Sequence, residues 1–272
     1  MKTLRYVNLD PTGNLTCLVL DPPEPAEEPA VTRYLMGECE QVAYLEPATD
    51  PEARIRVRLM GGEFCGNASM ATACYLASGD GLQPGEEKTI PLEVSGAEGI
   101  LQCKAKNNGR SWKGTVPMPR ILGTREFKSG DLTLTAVRME GIRHFILADQ
   151  TLPDAAAKIL VKALADTVPE PAVGLLQWNR STGIMRPLVF VRGSDTLVWE
   201  TGCGTGSAAV GVYEAMARNE RERQTDVRQM GGTITASAKL RGDGGAEVTI
   251  TGRVRLSGEK RLEIDGKAIR NL

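Results

Sequence analysis

Polar and apolar residues alternate along most of this chain, at the period of a half-buried strand. The alternation predicts strands over residues 5–9, 16–20 and 41–45, with a proline-rich loop (Asp21, Pro22, Pro23, Glu24, Pro25) after the second. A further alternating run, 54–60, turns at Gly61 and Gly62 and enters a helix over 66–78 that Gly79, Asp80 and Gly81 close. Strands at 88–94, 100–106 and 114–118 complete this half, which ends at Pro117, Met118 and Pro119. The second half has a similar order: strands at 132–137 and 144–147, then a helix over 152–166 with Pro153 in its first turn. Strands at 175–178 and 188–192 follow, then a helix from Cys203 to about 219, and strands at 232–239, 246–252 and 262–264.

Each half therefore reads as a mainly antiparallel sheet holding a central helix. The expected fold is an α/β (α+β) chain of two pseudo-symmetric domains, 1–119 and 120–253, with 254–272 returning to the first. A length of 272 residues is enough for two such cores.

Charge changes the picture only by exclusion. The 33 basic and 34 acidic residues nearly cancel, so neither nucleic acid nor a membrane surface is an expected partner. The first residues carry no apolar signal core and no run approaches the ~20 apolar residues of a membrane span; a cytoplasmic protein is expected. Six cysteines (Cys17, Cys39, Cys65, Cys74, Cys103 and Cys203) are too sparse for a disulfide scaffold and lack zinc-site spacing. The single histidine, His144, leaves little room for a Ser-His-Asp triad or a histidine metal site.

Two of the cysteines stand in matching surroundings. Glu63-Phe64-Cys65-Gly66-Asn67-Ala68-Ser69 and Thr201-Gly202-Cys203-Gly204-Thr205-Gly206-Ser207 each set a cysteine before a glycine at the start of a helix, 138 positions apart. Unpaired N–H groups and the positive end of the helix dipole favour thiolate there, so each sulfur is expected to serve as a base near neutral pH. The N–H groups at Gly66, Asn67, Gly204 and Thr205 can hold a carboxylate, and glycine lets it approach the backbone. One thiolate and one thiol acting on opposite faces of a carbon next to that carboxylate would invert it, with no cofactor. Gly204-x-Gly206 lacks the Lys-Ser/Thr of a phosphate loop and the third glycine of a dinucleotide fingerprint. Cys17, Cys74 and Cys103 fit apolar core patterns; Cys39, between two glutamates, does not.

The two cysteine segments resemble the catalytic signatures of the diaminopimelate epimerase family of cofactor-independent racemases and epimerases. Thr12-Gly13-Asn14 is similar to that family's N-terminal motif, and Met230-Gly231-Gly232 to a late glycine pair. The resemblance implies two α/β domains, each a sheet wrapped around a central helix, with the active site between them. It also marks departures: the stretch Gly141-Ile142-Arg143-His144 holds no asparagine, Leu175 replaces another, and no arginine accompanies Glu200. A distal carboxylate lacks its clamp, which argues against diaminopimelate.

Cys39-Glu40-Gln41-Val42, the Cys65 segment and Trp199-Glu200 are similar to the histidine racemases of the same family, found in opine metallophore biosynthesis. That resemblance implies Asn14, Glu40, Gln41 and Glu200 as substrate-binding residues beside Gly66, Asn67, Gly204 and Thr205. Glu40 and Glu200 suit an imidazole or an amine, so histidine or another basic amino acid is the expected small-molecule partner. His144 reads as a supporting residue, since two cysteines fill both base roles. Three readings stay open: an amino-acid racemase; a diaminopimelate-type or hydroxyproline-type epimerase, or an isomerase of a non-amino acid, on the same fold; and a non-catalytic carboxylate-binding protein. A homodimer is also left open.

Overall fold

The computed structural model describes residues 2–193, 195–265 and 268–271. It divides the chain into two compact units: one runs to Val116 and resumes at Thr251, and the other is Pro117–Ile250.

The first unit opens with β1 (Lys2–Pro11) and β2 (Thr16–Val19), an antiparallel pair. Next comes α1 (Glu28–Leu35), in the stretch after Pro25 where no helix was expected. Proline in its first turn fits a helix start, and its one apolar edge, Val31 and Leu35, packs on Leu4, Tyr6, Val42 and Tyr44. Strands β3 (Gln41–Glu46) and β4 (Ile55–Leu59) lead to α2 (Gly66–Gly79), and β5 (Glu87–Val94), β6 (Ile100–Asn107) and β7 (Trp112–Pro117) follow.

Both parallel contacts in this unit, β2 with β3 and β4 with β5, bracket a helix, because parallel neighbours need a crossover. Helix α2 is small and apolar on every face, a pattern that requires enclosure. Ten of its fourteen residues are buried, and it packs on β1, β5 and β6. Gly114 on β7 lets the strand come so close that a Cβ there would lie 2.8 Å from that of Met70.

The second unit holds β8 (Ile121–Ser129), β9 (Leu132–Met139), β10 (Ile142–Ala148), α3 (Asp154–Ala165), β11 (Ala172–Asn179), β12 (Ile184–Val191), β13 (Thr196–Trp199), α4 (Gly204–Ala217), β14 (Glu222–Gln229) and β15 (Gly232–Leu240). The same logic recurs. Parallel pairs β10 with β11 and β12 with β14 bracket α3 and α4. Helix α3 is amphipathic and buries Ala157, Val161 and Leu164 against Phe145, Leu175 and Leu188; Pro153 is its cap and not a residue of its first turn. Helix α4 is enclosed like α2, against β14 and β15. Gly211 makes this approach possible, since a Cβ there would lie 2.7 Å from that of Ala236.

The runs expected at 246–252 and 262–264 are one strand, β16 (Ala246–Asp265), followed by β17 (Ala268–Asn271). Within the first unit β16 pairs with β1 on one side and with β7 on the other, so that β1 to β7 and β16 close a ring around α2. The chain is thus α+β, mostly strand with four helices among the described residues. No described helix is long and apolar enough to cross a membrane.

Candidate active site

Each cysteine of the repeated segment is the N-cap of an enclosed helix, and the two caps are built alike. Cys65 has extended backbone (φ −137°, ψ 109°), and its Sγ accepts the Ala68 N–H at 3.4 Å. Cys203 has φ −104° and ψ 109°, and its Sγ accepts the Gly206 N–H at 3.2 Å. In both, the serine four residues on returns its hydroxyl to the cysteine carbonyl: Ser69 to Cys65 at 2.8 Å, Ser207 to Cys203 at 2.7 Å. The sulfur therefore replaces the oxygen of an ordinary N-cap, and the serine fixes the carbonyl behind it. Gly206 eases this closeness, because a Cβ there would sit tightly, 3.0 Å from both the Cys203 sulfur and the Leu176 side chain.

In the first unit a chain of side chains leads to the thiol. Glu40 accepts the Asn14 amide at 3.0 Å, Asn14 Oδ1 accepts the Gln41 amide at 2.6 Å, and Gln41 Nε2 also reaches Thr16 Oγ1 at 2.7 Å. With its amide nitrogen so engaged, Gln41 turns its carbonyl toward Cys65, whose thiol donates to it at 3.1 Å. Gln41 is nearly buried and Glu40 is exposed. Asn14 reaches this position through a turn in which Thr12 (φ 57°) and Gly13 (φ 90°) are both left-handed. Gly66 and Asn67, both buried, open α2, and the Asn67 N–H also lies close enough to favour the Cys65 thiolate.

In the second unit Cys203 meets a carboxylate. Glu200 hydrogen-bonds to the thiol, and Thr205 Oγ1 lies 3.6 Å from the sulfur. Gly204 and Thr205 open α4. The backbone N–H of Cys203 donates to Gln229 Oε1 at 2.6 Å, and Gln229 Nε2 donates to Ser207 at 2.9 Å. The glycine pair just beyond Gln229 steadies the same turn, since the Gly231 N–H holds the Thr201 carbonyl at 2.8 Å.

Burial outweighs the helix ends in the electrostatics of both thiols. Desolvation pushes Cys65 up to about 11 against the pull of the Ala68 N–H. Cys203 is held well above the ordinary thiol range, first by burial and then by the Glu200 charge. The expectation of resting thiolates near neutral pH is thus reversed, because burial costs an anion more than a few N–H groups return.

Sequence reasoning passed over Ser69, Ser207, Gln229, Thr16 and Ser95. The first two were visible as the shared Cys-Gly-x-x-Ser spacing, whereas Gln229 lies in a strand with few apolar residues and carried no signal. Ser95 Oγ accepts the Leu59 N–H at 3.0 Å and donates to the Glu63 carbonyl at 2.9 Å, clamping the turn ahead of Cys65. Replacing Gln229 with leucine keeps the volume but strands the Cys203 N–H and removes the donor to the Ser207 oxygen. The expected cost is about 2 kcal/mol, read as a lower midpoint in thermal melting, and an unchanged midpoint would show that both groups find other partners.

The family model "Histidine racemase CntK N-terminal domain" matches residues 3–262. The chain belongs to the histidine racemase family. It is 24% identical to the histidine racemase of Staphylococcus aureus over 263 residues, covering 93% of this chain and 95% of that one. It is 27% identical to a histidine racemase of Fusobacterium nucleatum over 229 residues, covering 80% and 83%. Among solved structures, a predicted epimerase from Pseudomonas aeruginosa superposes with a TM-score of 0.71 at 17% identity, covering 96% of this chain and all of that one. A hydroxyproline epimerase from Agrobacterium vitis gives 0.67 at 16%, covering 95% and 92%. These two share the fold.

Proposed function

We propose that this member of the family racemises histidine, with Cys65 and Cys203 as the two bases. One observation carries the reading: the chain builds the same thiol-capped helix start twice, each with the sulfur held by the N–H three residues on and the cysteine carbonyl held by a serine. A single such cap would serve packing alone; a matched pair suits a reaction that needs one proton acceptor and one donor.

Removing the α-proton of an amino acid sends negative charge into its carboxylate. Donors at helix N-termini stabilise that charge as it grows, and losing one such donor typically costs ~3 kcal/mol. Cys65 gives its thiol proton to a neutral amide and Cys203 to a carboxylate. Ionisation therefore falls first on Cys65, since an anion beside Glu200 is repelled. The Cys65 thiolate takes the α-proton from one face and the Cys203 thiol delivers its own to the other, leaving the enzyme ready for the reverse reaction. Glu40, exposed and steadied by Asn14, and Glu200 are the carboxylates available to a basic side chain.

L-Histidine in D2O tests this. The α-proton signal should disappear by NMR while the optical rotation decays to zero, and alanine and glutamate should react far more slowly. No exchange with histidine or with any other basic amino acid would overturn the proposal.

A further inference from the structure

His144 lies opposite Gly174 in the parallel pairing of β10 with β11 and is completely buried. Its Nε2 is 2.9 Å from Thr205 Oγ1, and its Nδ1 has no hydrogen-bond partner. Gly174 leaves room for the ring, since a Cβ there would lie 2.2 Å from Nδ1. Burial pushes the imidazole down to about 3, so the ring is neutral at any working pH.

A neutral imidazole has one N–H, and a buried N–H without an acceptor is tolerated less well than a bare acceptor. The proton therefore belongs on Nε2, which donates to Thr205 Oγ1. That hydroxyl has one proton of its own, and the Cys203 sulfur at 3.6 Å is there to receive it. At the far end Glu200, a carboxylate, can only accept from the thiol. The direction of the whole row is set at both ends: His144 to Thr205, Thr205 to Cys203, Cys203 to Glu200.

We infer that His144 is a positioning residue which, as its neutral Nε2–H form, aims the Thr205 hydroxyl at Cys203 and so supports the thiolate left when that cysteine has given up its proton. The inference rests on the racemase reading for its purpose, but its geometry stands without turnover. With the donor misdirected, the Cys203 thiolate keeps the Gly206 N–H and loses its side-chain donor while Glu200 still repels it. Its ionisation should move up by about one unit, which is a tenfold smaller thiolate fraction at a given pH.

The test is alkylation of Cys203 by iodoacetamide in a Cys65→Ser background at pH 8.5, followed on the Cys203 peptide by mass spectrometry. Thr205→Val and His144→Leu should each slow alkylation about tenfold, and combining them should slow it no further. His144→Gln, whose amide can place an N–H near the Nε2 position, should restore most of the rate. In the otherwise unaltered enzyme, His144→Leu should lower kcat with little change in KM. Unchanged alkylation in His144→Leu, or an additive effect with Thr205→Val, would overturn the inference. Should His144→Leu fail to fold, the pair Thr205→Val and Thr205→Ser decides: valine slow and serine fast supports it, and both fast overturns it. Slow alkylation in these variants would stand even if histidine were not the substrate.

Discussion

Cys65→Ser and Cys203→Ser should each lower racemisation of histidine by about 10³-fold or more, in the range by which a positioned acid or base accelerates proton transfer. Serine is the sharpest substitution here because it leaves the architecture intact. A serine hydroxyl is a good N-cap, so it takes over the Ala68 or Gly206 N–H that the sulfur now accepts, and the melting temperature should hardly move. A hydroxyl does not ionise in this pH range, so the acid–base role alone is lost. Each variant keeps one thiol, which gives a second readout. Slow exchange of the α-proton without inversion should persist for one enantiomer only, and for opposite enantiomers in the two variants. Racemisation at the unmodified rate by either variant, with the fold intact, would rule out the two-base mechanism.

What made these cysteines legible was chemistry concentrated in a short window. A thiol, a glycine and a run of small apolar residues is an arrangement that core packing does not need, and it occurs twice. The same run predicted α2 and α4, whose lack of a polar face implies enclosure. Helix α1 was missed because the proline-rich stretch ahead of it reads as loop and its buried edge amounts to Val31 and Leu35. Strand β14 was missed because its buried positions are Thr225, Val227 and Gln229, of which one is apolar; β8 buries only Ile121, the rest being half-exposed or exposed. Asn14, Glu40 and Gln41 were expected near the substrate, and the structure links them in one row of hydrogen bonds ending on Cys65. Their order in that row, and the role of Gln41 as the direct partner of the thiol, depend on a pairing of β2 with β3 that no local pattern fixes. The protonation of the thiols was misjudged for a related reason. A helix end is visible in sequence, and the dry surroundings that oppose it are not.

The least legible contributor to the site is a glycine thirty residues downstream. Gly96 and Gly99 lie in one turn between β5 and β6 with nearly the same left-handed backbone, φ 68° and 66°. An alanine at either should cost roughly 1 kcal/mol from that conformation alone. Their surroundings separate them. A Cβ on Gly99 meets open space, whereas a Cβ on Gly96 would lie 2.3 Å from the Phe64 nitrogen and 2.7 Å from the Glu63 carbonyl carbon. Those are backbone atoms, held by the Ser95 clamp, and they lead straight into Cys65. Gly96→Ala must displace the turn, adding about 2 kcal/mol of overpacking, so the total near 3 kcal/mol should lower the melting temperature by about 10 °C. The displaced turn carries Cys65 with it. Misplacing a reacting group by ~1 Å can cost 10²-fold in rate, so racemisation should fall by about that factor at temperatures where the variant is fully folded. Gly99→Ala should lose a few degrees and retain its rate. If the two variants behave alike, the approach of this turn to Phe64 is not what places the thiol.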